Sequence, residues 1–201
     1  MVSMLQASLR APVTRIITPL CRGLLRLGIT ANAMTVIGSL STIAASLFYF
    51  SRGHLFVGTI VITLVVLTDL LDGTLARMSE SGPSTWGALL DSTLDRIGDS
   101  VIIGSLMYWF YQTNNPLFGV ALVALVASGL VSYVKARAES LQIECNGGFA
   151  ERTERLIILL VATGLSGLGV HYILTLGIWL LAIASTVTVL QRLMIVYRAT
   201  Q

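Results

Sequence analysis

The chain is short of charge. Of its 201 residues only 11% are Asp, Glu, Lys or Arg, while 55% are hydrophobic and the mean hydropathy is +0.82. A soluble domain carries about 25% charged residues. A small folded chain keeps many residues in contact with water, so so little charge excludes an ordinary soluble globule. The same shortage excludes a disordered chain or a coiled coil. Lysine is almost missing: Lys135 is the only one among 13 basic residues, against 10 acidic ones. An excess that small excludes a nucleic-acid-binding surface as the chain's main business. Cysteine is scarce as well. Cys21 and Cys145 lie far apart with no CxxC spacing, which argues against a disulfide framework or a zinc site. The first thirty residues lack an unbroken apolar core, being interrupted by Arg10, Arg15, Arg22 and Arg26, so they do not read as a cleaved signal peptide.

What is present is a series of apolar runs. Ala33–Phe50, Leu55–Thr68, Trp86–Tyr111, Leu117–Val134, Leu156–Leu168 and Tyr172–Leu190 follow one another with short connections. Each spanning helix needs ~20 apolar residues. The expected fold is therefore an all-α integral membrane protein of six transmembrane helices. In residues 1–30 the four arginines alternate with Leu5, Leu9, Ile16, Ile17, Leu20 and Leu24. That pattern predicts an amphipathic helix lying at the membrane interface. The division expected is thus an N-terminal amphipathic segment, 1–30, and a six-helix membrane domain, 31–201. The turns at Ser51–His54, Gln112–Pro116 and Ser166–His171 hold one basic residue between them, Arg52. The rest fall on the other side, which places both termini in the cytosol.

The five aspartates are confined to one window: Asp69, Asp72, Asp91, Asp95 and Asp99. Ionisable groups inside spans are costly and usually face a partner or a cavity. Asp69 and Asp72 are three apart at the end of the second apolar run, and Asp91, Asp95 and Asp99 follow at intervals of four. Each set shares a helix face. All-oxygen ligation suits Mg²⁺ or Mn²⁺ rather than zinc. Two metals per site would balance this many carboxylates and would suit phosphoryl transfer. Gly73, Ala76 and Gly87 would let a ligand approach the backbone, or serve helix packing instead. Arg77 can grip a phosphate.

Written out, the segment is Asp69-Leu-Leu-Asp72-Gly73-Thr-Leu-Ala76-Arg77, nine residues, then Gly87, three residues, Asp91, three residues, Asp95. It resembles the signature of the CDP-alcohol phosphotransferase family, D-x2-D-G-x2-A-R, a spacer, G-x3-D-x3-D. Thr30-Ala31-Asn32-Ala33-Met-Thr35 resembles the segment that precedes the family's first span, with Ala31 in place of a proline. The resemblance implies a cytosol-facing site in the plasma membrane of a bacterium. It implies Asp69, Asp72, Asp91 and Asp95 as metal ligands and Asp95 also as the catalytic base or orienter. It implies Thr30, Ala31, Asn32, Ala33, Gly73, Ala76, Arg77 and Ser84 as the residues that hold CDP-diacylglycerol. Small residues and apolar faces allow a homodimer, and the resemblance favours one.

A second polar set stands further on: Ser132, Lys135 and Arg137, then Arg152 and Arg155, then Arg192. Basic groups beside an acidic site suit an anion, most simply a phosphate monoester, although the positive-inside bias alone also puts arginine at cytosolic ends. The stretches around Lys135 and Arg155 resemble the bacterial branch of the family whose acceptor is inositol 1-phosphate. The implied reaction gives phosphatidylinositol phosphate and CMP. Two alternatives stand beside it. One is the sibling branch, whose acceptor is glycerol 3-phosphate; the other, more remote, is a cation transporter. Asp99 is expected to bond to Arg96 or to a hydroxyl rather than to a metal.

Overall fold

The computed structural model describes residues 19, 21–23, 25, 27–78, 82, 84–145, 148 and 151–201, with the backbone alone at 69–72. Among these residues the secondary structure is helical, without a strand. The helices are α1 (Ala31–Tyr49), a 3-10 turn (Phe50–Arg52), α2 (Leu55–Val66), α3 (Asp69–Met78), α4 (Thr85–Gln112), α5 (Leu117–Ser140), α6 (Arg152–Gly167) and α7 (Ile173–Ala199). Each of the six apolar runs falls in a helix, save for at most two residues at one end. The amphipathic segment expected over 1–30 lies largely outside the described residues.

Polar side chains at the helix ends set the starts. The Thr30 hydroxyl accepts the Ala33 amide at 3.2 Å, and the Ser84 hydroxyl accepts the Gly87 amide at 2.9 Å. These satisfy amides that the first turn of a helix leaves unpaired. At α6 the Glu151 amide donates to the Glu154 carboxylate at 2.9 Å, one half of a reciprocal capping box. One boundary differs from the sequence pattern. The run Leu55–Thr68 reads as one apolar stretch leading into Asp69, yet the helix stops at Val66. The Thr68 hydroxyl donates to the Val65 carbonyl at 2.6 Å, competing with the helical ladder. Asp69 and Asp72 therefore occupy the first turn of a new helix rather than the last turn of a span.

Among the described residues three helical segments are long and apolar enough to cross a membrane: Ala31–Arg52, Leu117–Ser140 and Ile173–Ala199, with hydropathies of 1.6, 2.3 and 2.2. The apolar α2 has 12 residues, about 18 Å of helix against a hydrocarbon core of about 30 Å. The 28-residue α4 is long enough but carries Asp91, Asp95, Arg96 and Asp99 within its first fifteen residues.

The chain divides into two compact units, residues 1–42 with 63–98, and residues 43–62 with 99–201. In the first, Gly98 of α4 lies against the Thr42 methyl of α1. In the second, α7 packs on both α5 and α6. Small side chains line these contacts: Ala121, Ala124 and Ala127 of α5, and Ala182, Ala184 and Ser185 of α7 are buried. The Ser128 and Ser185 hydroxyls share a 3.2 Å hydrogen bond. Gly177 of α7 abuts Ala162 of α6 so closely that a Cβ there would overlap the alanine methyl. Such small-residue seams are how helices associate where lipid removes the hydrophobic drive. The opposite faces expose Leu122, Val126, Leu130, Leu176, Leu180 and Ile183, a surface suited to acyl chains and not to water.

Candidate active site

In the first unit α1, α3 and α4 border a cavity of about 500 Å³, within the usual range for a small-molecule site. Its walls include Thr30, Ala31, Asn32, Gly73, Ala76, Ser84, Gly87 and Asp91. Six of the eight residues expected to hold CDP-diacylglycerol are thus brought together around one space. The other two are not part of its lining. The Ala33 amide is taken by the Thr30 hydroxyl, and Arg77, exposed, donates to the Thr74 hydroxyl at 3.2 Å. Gly87 is required by crowding: a Cβ there would stand 2.8 Å from Asn32 Oδ1 and 3.0 Å from Ser84 Oγ. At Gly73 the nearest atom to such a Cβ is Arg77 Nη1 at 3.7 Å, so the backbone there is open to a ligand. Leu25, Gly28, Thr35, Gly82 and Ala88 also line the cavity and were not assigned from sequence. The positive φ of Gly28 and Gly82, 77° and 65°, marks turns whose only sequence signal is the glycine itself.

Asp91 and Asp95 are half-buried on successive turns of α4, and Asp91 borders the cavity. Asp69 and Asp72 sit at the start of α3, their side chains outside the described residues. Among the described residues no three acidic, His or Cys side chains converge as a metal cluster.

In the second unit the basic residues separate by burial. Arg155 is 6% exposed and Arg192 3%. Arg192 Nη1 donates to the Val131 carbonyl of α5 at 2.6 Å. Burial pushes the Arg155 guanidinium below its ordinary range, and the Asp99 carboxylate pulls it back up; the charges of Arg192 and Arg152 push down, and that of Glu151 pulls up. Arg152 Nε meets Asp99 Oδ2 at 3.3 Å. Asp99 therefore pairs with Arg152; of the two partners expected from sequence, Arg96 or a hydroxyl, Arg96 turns instead to the Ser92 carbonyl of its own helix. Ser132 and Lys135 are half-buried on α5. Arg137 is exposed and donates to the Ser140 hydroxyl at 3.3 Å, so the structure does not bring it to the buried arginines. Ser128, which sequence did not single out, borders a small cavity with Asp99 and Arg155.

The family model for CDP-alcohol phosphatidyltransferases matches residues 28–197. The chain belongs to the CDP-alcohol phosphatidyltransferase family. It is 43% identical over 189 residues to a phosphatidylinositol phosphate synthase of Mycobacterium tuberculosis, an alignment spanning 92% of this chain and 87% of the relative. The crystal structure of the M. tuberculosis enzyme with CDP-DAG bound superposes with a TM-score of 0.86 at 43% identity, covering 91% of this chain and 94% of that one. The same enzyme in complex with manganese and citrate gives 0.86 at 42% identity, covering 90% and 88%.

For a phosphatidyltransferase the donor set is chemically apt. Hard divalent cations take carboxylate oxygens, Asp91 borders the cavity, and the open backbone at Gly73 leaves room beside it.

Proposed function

We propose that the chain transfers the phosphatidyl group of CDP-diacylglycerol to inositol 1-phosphate (1D-myo-inositol 3-phosphate). The products are phosphatidylinositol phosphate and CMP. One observation carries the donor half of this reading. The signature residues Gly73, Ala76, Gly87 and Asp91 share a single cavity with the Thr30–Asn32 turn. The relatives' acceptor, together with the buried Arg155 and Arg192, supports the other half.

Asp69, Asp72, Asp91 and Asp95 are the residues that would hold two divalent ions, Mg²⁺ or Mn²⁺, which when bound neutralise charge on the pyrophosphate. The chain's own groups do the rest. Gly73 admits the pyrophosphate to the backbone, and Asn32 and Ser84, packed close over Gly87, flank it. Arg77 holds a phosphate oxygen once its side chain turns from Thr74. Arg152, Arg155 and Arg192, with Ser132 and Lys135, hold the acceptor phosphate. Asp95 orients the attacking inositol hydroxyl and takes its proton. The hydroxyl oxygen bonds to the phosphatidyl phosphorus while the bond to CMP breaks. CMP leaves as a phosphate monoester whose second pKa is about 6, so no general acid is needed.

The same reading places six spans in a bacterial plasma membrane, with residues 1–30 at the interface, both termini and the site on the cytosolic side, and two copies forming a homodimer. Support comes from the positive-inside bias of the loops, the apolar exposed faces and the small-residue seams. Purified protein should release CMP from CDP-diacylglycerol and Mg²⁺ when offered inositol 1-phosphate, and not with inositol or serine. Release with glycerol 3-phosphate instead would move the acceptor to the sibling branch. No release with any acceptor, accompanied by ion flux in proteoliposomes, would favour a transporter.

A further inference from the structure

We infer that Asp99 is a positioning residue for the acceptor phosphate: its carboxylate anchors Arg152 and, across a small buried cavity, keeps Arg155 in place. The inference rests on the proposed function and adds a residue to it.

Arg155 and Arg192 are among the described residues that are buried outright, and burying a guanidinium is costly unless opposite charge and acceptors are arranged around it. Arg192 has the Val131 carbonyl. For Arg155 the strongest favourable charge nearby is Asp99, ahead of Glu151. Asp99 also receives Arg152 Nε at 3.3 Å, and its side chain is only 22% exposed, against 36% for Arg152. Asp99, Ser128 and Arg155 wall a cavity of about 20 Å³, lined also by Leu156, Leu159 and Leu181. That volume is roughly the room for one bridging water. The carboxylate thus ties the start of α6, which carries both Arg152 and Arg155, to α4. Its place on α4 is one turn beyond Asp95, on the same face as the proposed metal ligands, but its charge is engaged by an arginine.

Two roles for Asp99 predict opposite signs. A carboxylate that merely dilutes the positive charge would, when neutralised, let the pocket bind phosphate more tightly. A carboxylate that positions the arginines would, when neutralised, loosen it. The test is CMP release by Asp99→Asn and Asp99→Glu in detergent, with inositol 1-phosphate, CDP-diacylglycerol and Mg²⁺ each varied in turn. Asp99→Asn should raise KM for inositol 1-phosphate about tenfold, the scale of one hydrogen bond to a charged group, with KM for CDP-diacylglycerol and the Mg²⁺ midpoint unchanged. Asp99→Glu should recover most of that loss. A lowered or unchanged KM for the acceptor overturns the inference, as does an equal rise for both substrates or a shifted Mg²⁺ midpoint. Should Asp99→Asn fold poorly, the double variant Asp99→Asn/Arg152→Gln decides. Its KM for the acceptor should exceed that of Arg152→Gln by only a few-fold, the share that acts through Arg155, and full additivity of a roughly tenfold loss contradicts the pair. If wild type uses glycerol 3-phosphate and not inositol 1-phosphate, the proposed acceptor falls, and the same comparison is made with glycerol 3-phosphate.

Discussion

Around Gly73 and Gly87 the chain offers a ligand almost no side chain, whereas around Arg155 and Arg192 it buries two of its bulkiest charged groups. The first region is a cavity of about 500 Å³ walled by small residues, short polar groups and one visible carboxylate. The second is a set of arginines fixed by a backbone carbonyl and an aspartate. Each arrangement suits a different ligand problem. A pyrophosphate that must meet metal ions needs open access to the backbone. A phosphate monoester that must be held while its parent hydroxyl reacts needs a rigid cationic fork. Glycine leaves room; buried arginine imposes orientation.

Substitutions should divide along the same line. The largest effect is expected at Asp95, where Asp95→Asn should cut kcat by about 10²–10⁴-fold while the protein keeps its elution profile and melting temperature. Wild-type turnover in that variant would remove Asp95 from the chemistry. Arg155→Ala comes next, with a rise of about tenfold or more in KM for inositol 1-phosphate, since it removes a charged partner from a buried site. Gly177→Ala tests packing and leaves both pockets alone. Its Cβ would press on Ala162, and thermal unfolding in detergent should fall by the equivalent of about 1–3 kcal/mol. An unchanged melting temperature would mean the α6–α7 seam relaxes freely. The smallest effect is expected at Arg137. Its exposed guanidinium bonds locally to Ser140, so Arg137→Ala should change either KM by no more than about twofold. A tenfold loss would return Arg137 to the acceptor pocket.

Much of this was legible in the sequence, for physical reasons that can be named. The cavity of the first unit was legible because its residues are close in the chain and unusual in a span: aspartates at helical spacing, glycines between them, a threonine before α1. The helices were legible because apolar runs in lipid leave few alternatives to helix. The break after Val66 was not, because Leu55–Thr68 is free of charge and carries no proline, and both the amide and the hydroxyl of Thr68 turn to the Val65 carbonyl. Nor was the pairing of Asp99 with Arg152, which are 53 positions apart, while Arg96 lay three away. The arginines were hardest to rank. Arg137 and Arg155 both sit at helix ends, and only packing separates the exposed one from the buried one.

The most direct test of the account is a crossed KM measurement on two variants, Gly87→Ala and Arg155→Ala, with both substrates. In the first, the new methyl would stand 2.8 Å from Asn32 Oδ1 and 3.0 Å from Ser84 Oγ. The account predicts that Gly87→Ala raises KM for CDP-diacylglycerol and spares that for inositol 1-phosphate, and that Arg155→Ala does the reverse. Equal losses for both substrates in both variants would contradict the assignment of the glycine-lined cavity to the donor and the buried arginine to the acceptor.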